Sequence, residues 1–124
     1  MIEHNVLEVC RQKLLTAKAD VLNRYQSHFN DFRERGASSG DEADQSLAII
    51  NENQLYAAQL RLRTLLVEIE SALARIERGT FGICEETEEP IESERLLAIP
   101  WTRLSIEGAE IRESTRTSSR DKRA

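Results

Sequence analysis

Residues 41–79 read DEADQSLAIINENQLYAAQLRLRTLLVEIESALARIERG. Ala48, Asn51, Leu55, Ala58, Leu62, Leu65, Ile69, Ala72 and Ile76 step alternately by three and four, the spacing that puts side chains on one face of a helix. Leu66 and Leu73 broaden the lower half of that stripe. No Pro or Gly interrupts it until Gly79, which is placed to cap the end. The spacing predicts one helix over 41–78. Working back, residues 2–35 also lack Pro and Gly. There the stripe runs through Leu7, Cys10, Leu14, Ala17 and Val21, then shifts by one to Leu22, Tyr25, Phe29 and Phe32, as at a discontinuity in a heptad seam. Between the two lies Gly36-Ala37-Ser38-Ser39-Gly40, turn chemistry in which Ser39 and Glu42 have capping-box spacing and Asp41 adds a carboxylate to the positive helix end. Two helices of like length with so short a break cannot bury their stripes separately. The expectation for 2–79 is a long antiparallel coiled-coil hairpin, each helix ~50 Å long at ~1.5 Å per residue. Asn51, at a seam position, would set the register.

Composition agrees. Of 124 residues, 31% are charged, 5% are aromatic, two are Pro and five are Gly, which argues against a sandwich or barrel and for surface-rich helices. No run of ~18 apolar residues predicts a membrane helix. Met1 to Cys10 lacks a basic region before an apolar core, so no signal peptide is expected. Two Cys make no disulfide framework, and a reducing cytoplasm is the default. A net charge of −5 disfavours the nucleic-acid backbone as main partner, so no direct sequence-specific DNA binding is expected. His4 and His28 are the only imidazoles, and there is no Gly-rich phosphate loop. No catalytic residue can be placed, and the chain does not read as an enzyme.

Residues 80–108 change character and, with a short helix after them, make a cap over 80–113. Phe81, Ile83, Ile91, Leu96, Leu97, Ile99, Trp101, Leu104 and Ile106 are candidates for a small core, and an acid run of Glu85, Glu86, Glu88, Glu89, Glu92 and Glu94 lies among them. A unit of this size needs a metal or the hairpin base to hold it. A short helix is expected at 109–113, and 114–124 reads as a polar, basic, disordered tail. The acid run reads as a solvated face, or as a contact for a basic patch on a partner.

The stretch Phe81-Gly82-Ile83-Cys84-Glu85-Glu86-Thr87, then Pro90-Ile91, then Arg95-Leu96-Leu97-Ala98-Ile99-Pro100-Trp101 resembles the zinc-finger end of the DksA/TraR family of bacterial RNA polymerase-binding regulators. The family pattern is two CxxC pairs seventeen residues apart. Here Cys84 keeps the first position while Thr87, Ser105 and Gly108 hold the other three, with residues 88–104 preserving the spacing. The resemblance covers about residues 5–112. It implies a cap of zinc-finger shape, but hydroxyls stay protonated near neutral pH and Gly offers no ligand, so neither metal nor cofactor is expected. Cys84 then reads as a small buried apolar residue, and Trp101, Ile99, Leu104 and Ile106 as the side chains that offset the missing metal by burial.

The resemblance also covers the hairpin tip. The family carries an acidic DxxDxA motif there, and Asp41-Glu42-Ala43-Asp44-Gln45-Ser46 supplies both Asp, with Ser46 in place of Ala. It implies a tip, near 36–46, that enters the secondary channel of RNA polymerase and acts close to the active site, with no membrane partner and the chain working as a monomer. By spacing alone, Asp41 and Asp44 are also ordinary first-turn acids, stabilising a helix by ~0.3–1 kcal/mol each. Many members act jointly with ppGpp. The family's basic contact positions fall on Glu68, Ile99 and Ala109, with Arg61 on a matching Arg, which implies little dependence on that polyphosphate. Two other roles fit the same hairpin: a Gre-like transcript-cleavage factor, with Asp41 and Asp44 helping to hold a catalytic metal, and a coiled-coil adaptor bridging other proteins.

Overall fold

The computed structural model describes residues 3–35 and 42–123, leaving aside the side chains of Phe29, 31–35, 42–44 and 118–123. Four helices follow in order: α1 (His4–Arg35), α2 (Glu42–Arg78), α3 (Ser93–Ala98) and α4 (Ile106–Arg123). Among the described residues there is no strand beyond an isolated antiparallel bridge between Ile83 and Pro90. The protein is an all-α chain in which α1 and α2 form an antiparallel coiled-coil hairpin, followed by a small cap. It divides into two compact units: Met1–Leu15 with Glu68–Ala124, and Thr16–Val67. The division therefore cuts across the hairpin.

In the first unit, Cys10 and Leu14 of α1, Ile69 and Ala72 of α2 and Leu96 of α3 are buried together with Phe81, Cys84 and Ile91. Each such Leu or Ile stabilises the fold by ~1.5–3 kcal/mol. The offsetting burial therefore comes from Phe81, Ile91 and Leu96. Ile99 and Ile106 are exposed, and Trp101 and Leu104 only half-buried, contrary to their expected place in the core. α1 also closes the open end of α3, whose last carbonyls lack intrahelical donors. Lys13 Nζ donates to Leu97 O at 2.7 Å, and Cys10 Sγ to Leu96 O at 3.5 Å.

The end of α2 is a Schellman turn. Thr80 N donates to Arg75 O at 3.0 Å and Gly79 N to Ile76 O at 3.2 Å, with Gly79 at φ +77° as the left-handed cap requires. Gly79 thus ends α2 as expected.

In the second unit the anticipated shift fails at Leu22 and Tyr25, while the side chains of Phe29 and Phe32 lie outside the described set. Val21 is buried while Leu22 and Tyr25 are exposed. The original register carries on to Arg24 and His28, which line a cavity of about 260 Å³ with Ala58, Arg61, Leu62 and Leu65. At this step burial stays with Val21, at 3% exposure, and leaves the larger Leu22 and Tyr25 outside. Asn51 is exposed, so its side chain is not a buried register pin. Arg24 pairs along its own helix with Asp20 at 3.2 Å.

α4 also differs from expectation. The helix does not stop at 113 but continues through Arg123. Past Gly108 no Pro or Gly breaks it. The Thr117 hydroxyl folds back onto Glu113 O at 3.0 Å, satisfying itself inside the helix instead of competing with it.

Candidate functional site: a cysteine knuckle with one cysteine

The chain folds the four ligand positions into a knuckle. Cys84 N donates to Glu89 O at 2.8 Å, and Glu88 N to Cys84 O at 2.9 Å, with Glu88 at φ +61°. Glu85 N donates across to Arg103 O at 3.0 Å, and this bond joins the loop 84–87 to the segment before α4. Ile91 N to Gly82 O, at 2.7 Å, ties the base of the loop.

Cys84, Thr87, Ser105 and Gly108 converge, as their spacing implied. Cys84 and Ser105 are buried. Ser105 Oγ accepts from Gly108 N at 3.0 Å, and Thr87 Oγ1 accepts from Glu89 N at 3.3 Å. A Cβ built on Gly108 would lie 2.4 Å from Cys84 Sγ and 3.3 Å from Ser105 Oγ, so backbone fills the fourth corner. One thiol, two hydroxyls and a bare backbone do not make a tetrahedral zinc site. Among the described residues no cluster of three or more His, Cys, Asp or Glu could hold a metal ion.

Cys84 is buried as expected, and its thiol also sits among polar groups. Burial pushes its thiol up, but hydrogen bonds from the hydroxyls and backbone N–H groups of Ser105 and Thr87 outweigh that and bring it down to about 6. Cys10 differs: burial raises its thiol, and the nearby Lys13 charge only partly opposes this.

The acid run is only partly a solvated face. Glu85 Oε1 accepts from Arg103 Nη1 at 2.9 Å and its Oε2 from Arg112 Nη2 at 3.3 Å. Glu86 Oε2 accepts from Arg112 Nε at 3.0 Å, and Glu92 Oε2 accepts from Ile106 N at 3.2 Å, at the start of α4. Arg103 Nε also reaches Glu68 Oε2 at 2.7 Å. Neither Arg103 nor Arg112 is visible to spacing arguments. The one available signal was their position flanking Ser105 and Gly108, opposite an acid run.

Asp41 lies outside the described residues, as do Gly36 to Gly40 and the expected capping box. Asp44 lies in the first turns of α2, its side chain outside the described set, and Ser46 is exposed on the same helix. Of the positions where the family places basic contacts, Ile99 is exposed and Glu68 is taken up by Arg103. Among the described residues no helix is long and apolar enough to cross a membrane.

Residues 79–114 match the family described as prokaryotic dksA/traR C4-type zinc finger. An RNA polymerase-binding transcription factor DksA of Caulobacter vibrioides is 33% identical over 115 residues, 93% of this chain and 81% of that protein. An uncharacterised protein of Aquifex aeolicus is 38% identical over 109 residues, 85% of this chain and 74% of that one. The structure of transcription factor DksA2 from Pseudomonas aeruginosa superposes with a TM-score of 0.84 at 31% identity, covering 93% of this chain and 88% of that one. A knuckle held in register with one of its four cysteines, and one-third identity over most of the length of a whole relative, make this chain a member of the DksA/TraR family.

Proposed function

We propose that the chain regulates bacterial transcription by binding RNA polymerase, with its hairpin tip in the secondary channel near the active site. The observation that carries this reading is the 33% identity over 81% of a relative named as an RNA polymerase-binding transcription factor. The physics is compatible with it: carboxylates at a helical tip can meet basic side chains or a hard Mg²⁺ ion in a narrow pore. The cap works without zinc, because the donor set around Cys84 cannot bind it tetrahedrally. Action is largely independent of ppGpp. Arg61 falls on a matching cation, but the other expected contacts fall on Glu68, Ile99 and Ala109, and the Glu68 carboxylate is itself paired with Arg103 at 2.7 Å. The protein performs no chemistry of its own and works in the cytoplasm, where polymerase is. Co-purification with core polymerase, followed by promoter-complex decay with and without ppGpp, tests the reading. Failure to bind core polymerase would return the chain to an adaptor role.

A further inference from the structure

A metal in a four-cysteine finger ties the first loop to the second. Here the first loop, 84–87, carries Glu85 and Glu86, and the second half carries Arg103 before Ser105 and Arg112 one turn beyond Gly108. Arg103 uses every guanidinium nitrogen: Nε on Glu68 at 2.7 Å, Nη1 on Glu85 at 2.9 Å and Nη2 on Ser71 Oγ at 3.0 Å. Arg112 spans Glu86 at 3.0 Å and Glu85 at 3.3 Å. Glu85 therefore gives one oxygen to each guanidinium. Arg75 supports the cluster from α2, donating to Ser71 Oγ at 2.9 Å and Thr102 O at 3.4 Å. Isolated exposed ion pairs contribute little. This set differs in being a network whose members are about one-third exposed, 31% at Glu68 and 41% at Arg112.

We propose that Arg103 and Arg112, gripping Glu85, Glu86 and Glu68, form a guanidinium clasp that closes the cap across the junction a metal closes in four-cysteine relatives. The cap's integrity then depends on ionic strength, through screening of the clasp, and not on chelatable metal. The links are five charge-assisted hydrogen bonds to three carboxylates and one hydroxyl. They connect α2, the first loop, the segment before Ser105 and α4, so no single loop can open without breaking at least two of them.

The chain has one Trp, Trp101, inside the cap, so its fluorescence reports cap unfolding separately from the helical circular dichroism. The experiment uses the full chain, melted between 0.05 and 0.5 M NaCl, as wild type, Arg112→Met, Glu85→Gln with Glu86→Gln, and all three changes together. Rising salt should lower the Trp101 transition of the wild type, and excess EDTA should leave it unchanged. In the glutamine background Arg112→Met should cost less than half of what it costs alone, the mark of residues in one network. Additive losses, a Trp101 transition indifferent to salt, or a fall on adding EDTA would each overturn the clasp. The wild-type salt and EDTA melts decide the matter even if a variant does not fold.

Discussion

Gly108 lies so close to Cys84 that a Cβ on it would stand 2.4 Å from the Sγ. The absence of a side chain at the fourth ligand position is therefore what lets α4 pack onto the knuckle. Gly108→Ala gains helix propensity of up to ~1 kcal/mol. Overpacking a closed site costs ~1–3 kcal/mol, so a net loss is expected. In a Cys84→Ala background the Sγ is gone, and Gly108→Ala should be neutral or stabilising. Denaturant melts of the four proteins in this cycle measure the coupling, and equal costs in both backgrounds would contradict the contact.

Cys84 also gives the fold a pH signature. Its folded value, about 6, lies below the ordinary 9.0, so between these limits the unfolded chain binds more protons than the folded one. Stability from this group is fully present above 9.0 and is lost as pH falls through about 6. The cap transition should therefore climb from pH 6 to 9, and Cys84→Ala should remove the climb. Thiolate absorbance of a Cys10→Ser variant locates the titration directly.

Purified protein should carry far less than one zinc per chain by elemental analysis. A stoichiometric zinc whose removal costs structure would contradict the one-thiol donor set of Cys84, Thr87, Ser105 and Gly108.

Adding ppGpp should barely change the protein's effect on promoter-complex decay. Glu68→Lys releases Arg103 from one carboxylate and adds a cation, so that variant should respond more strongly than wild type. A wild-type response as large as that of ppGpp-dependent relatives would contradict the placement of Glu68, Ile99 and Ala109.

The hairpin was legible because α2 repeats one periodic signal from Ala48 to Ile76 and ends on Gly79, a residue with one strong local meaning. The family was legible from Phe81 to Gly108, where the motif and its spacing survive with one of four cysteines. The seam through Arg24 and His28 was not legible, since hydropathy alone pointed to Leu22 and Tyr25 and could not see which face Val21 would fix. The length of α4 was hidden by a polar composition that a helix without breakers tolerates. The clasp was hidden for another reason. Arg103 is 35 positions from Glu68 and 18 from Glu85, separations at which sequence carries no pairing signal.

The proposed tip mechanism rests on Asp41 and Asp44. The most direct test is the lifetime of promoter complexes with wild type and with Asp41→Asn plus Asp44→Asn, alongside polymerase affinity and circular dichroism. If both act as helix-start acids, as the sequence implies, losing them should lower stability by only ~0.5–2 kcal/mol. On that mechanism the double variant stays folded and binds polymerase nearly as well as wild type, yet no longer alters complex lifetime. A folded double variant that still alters lifetime as wild type does would contradict it and leave Asp41 and Asp44 as ordinary helix-capping acids.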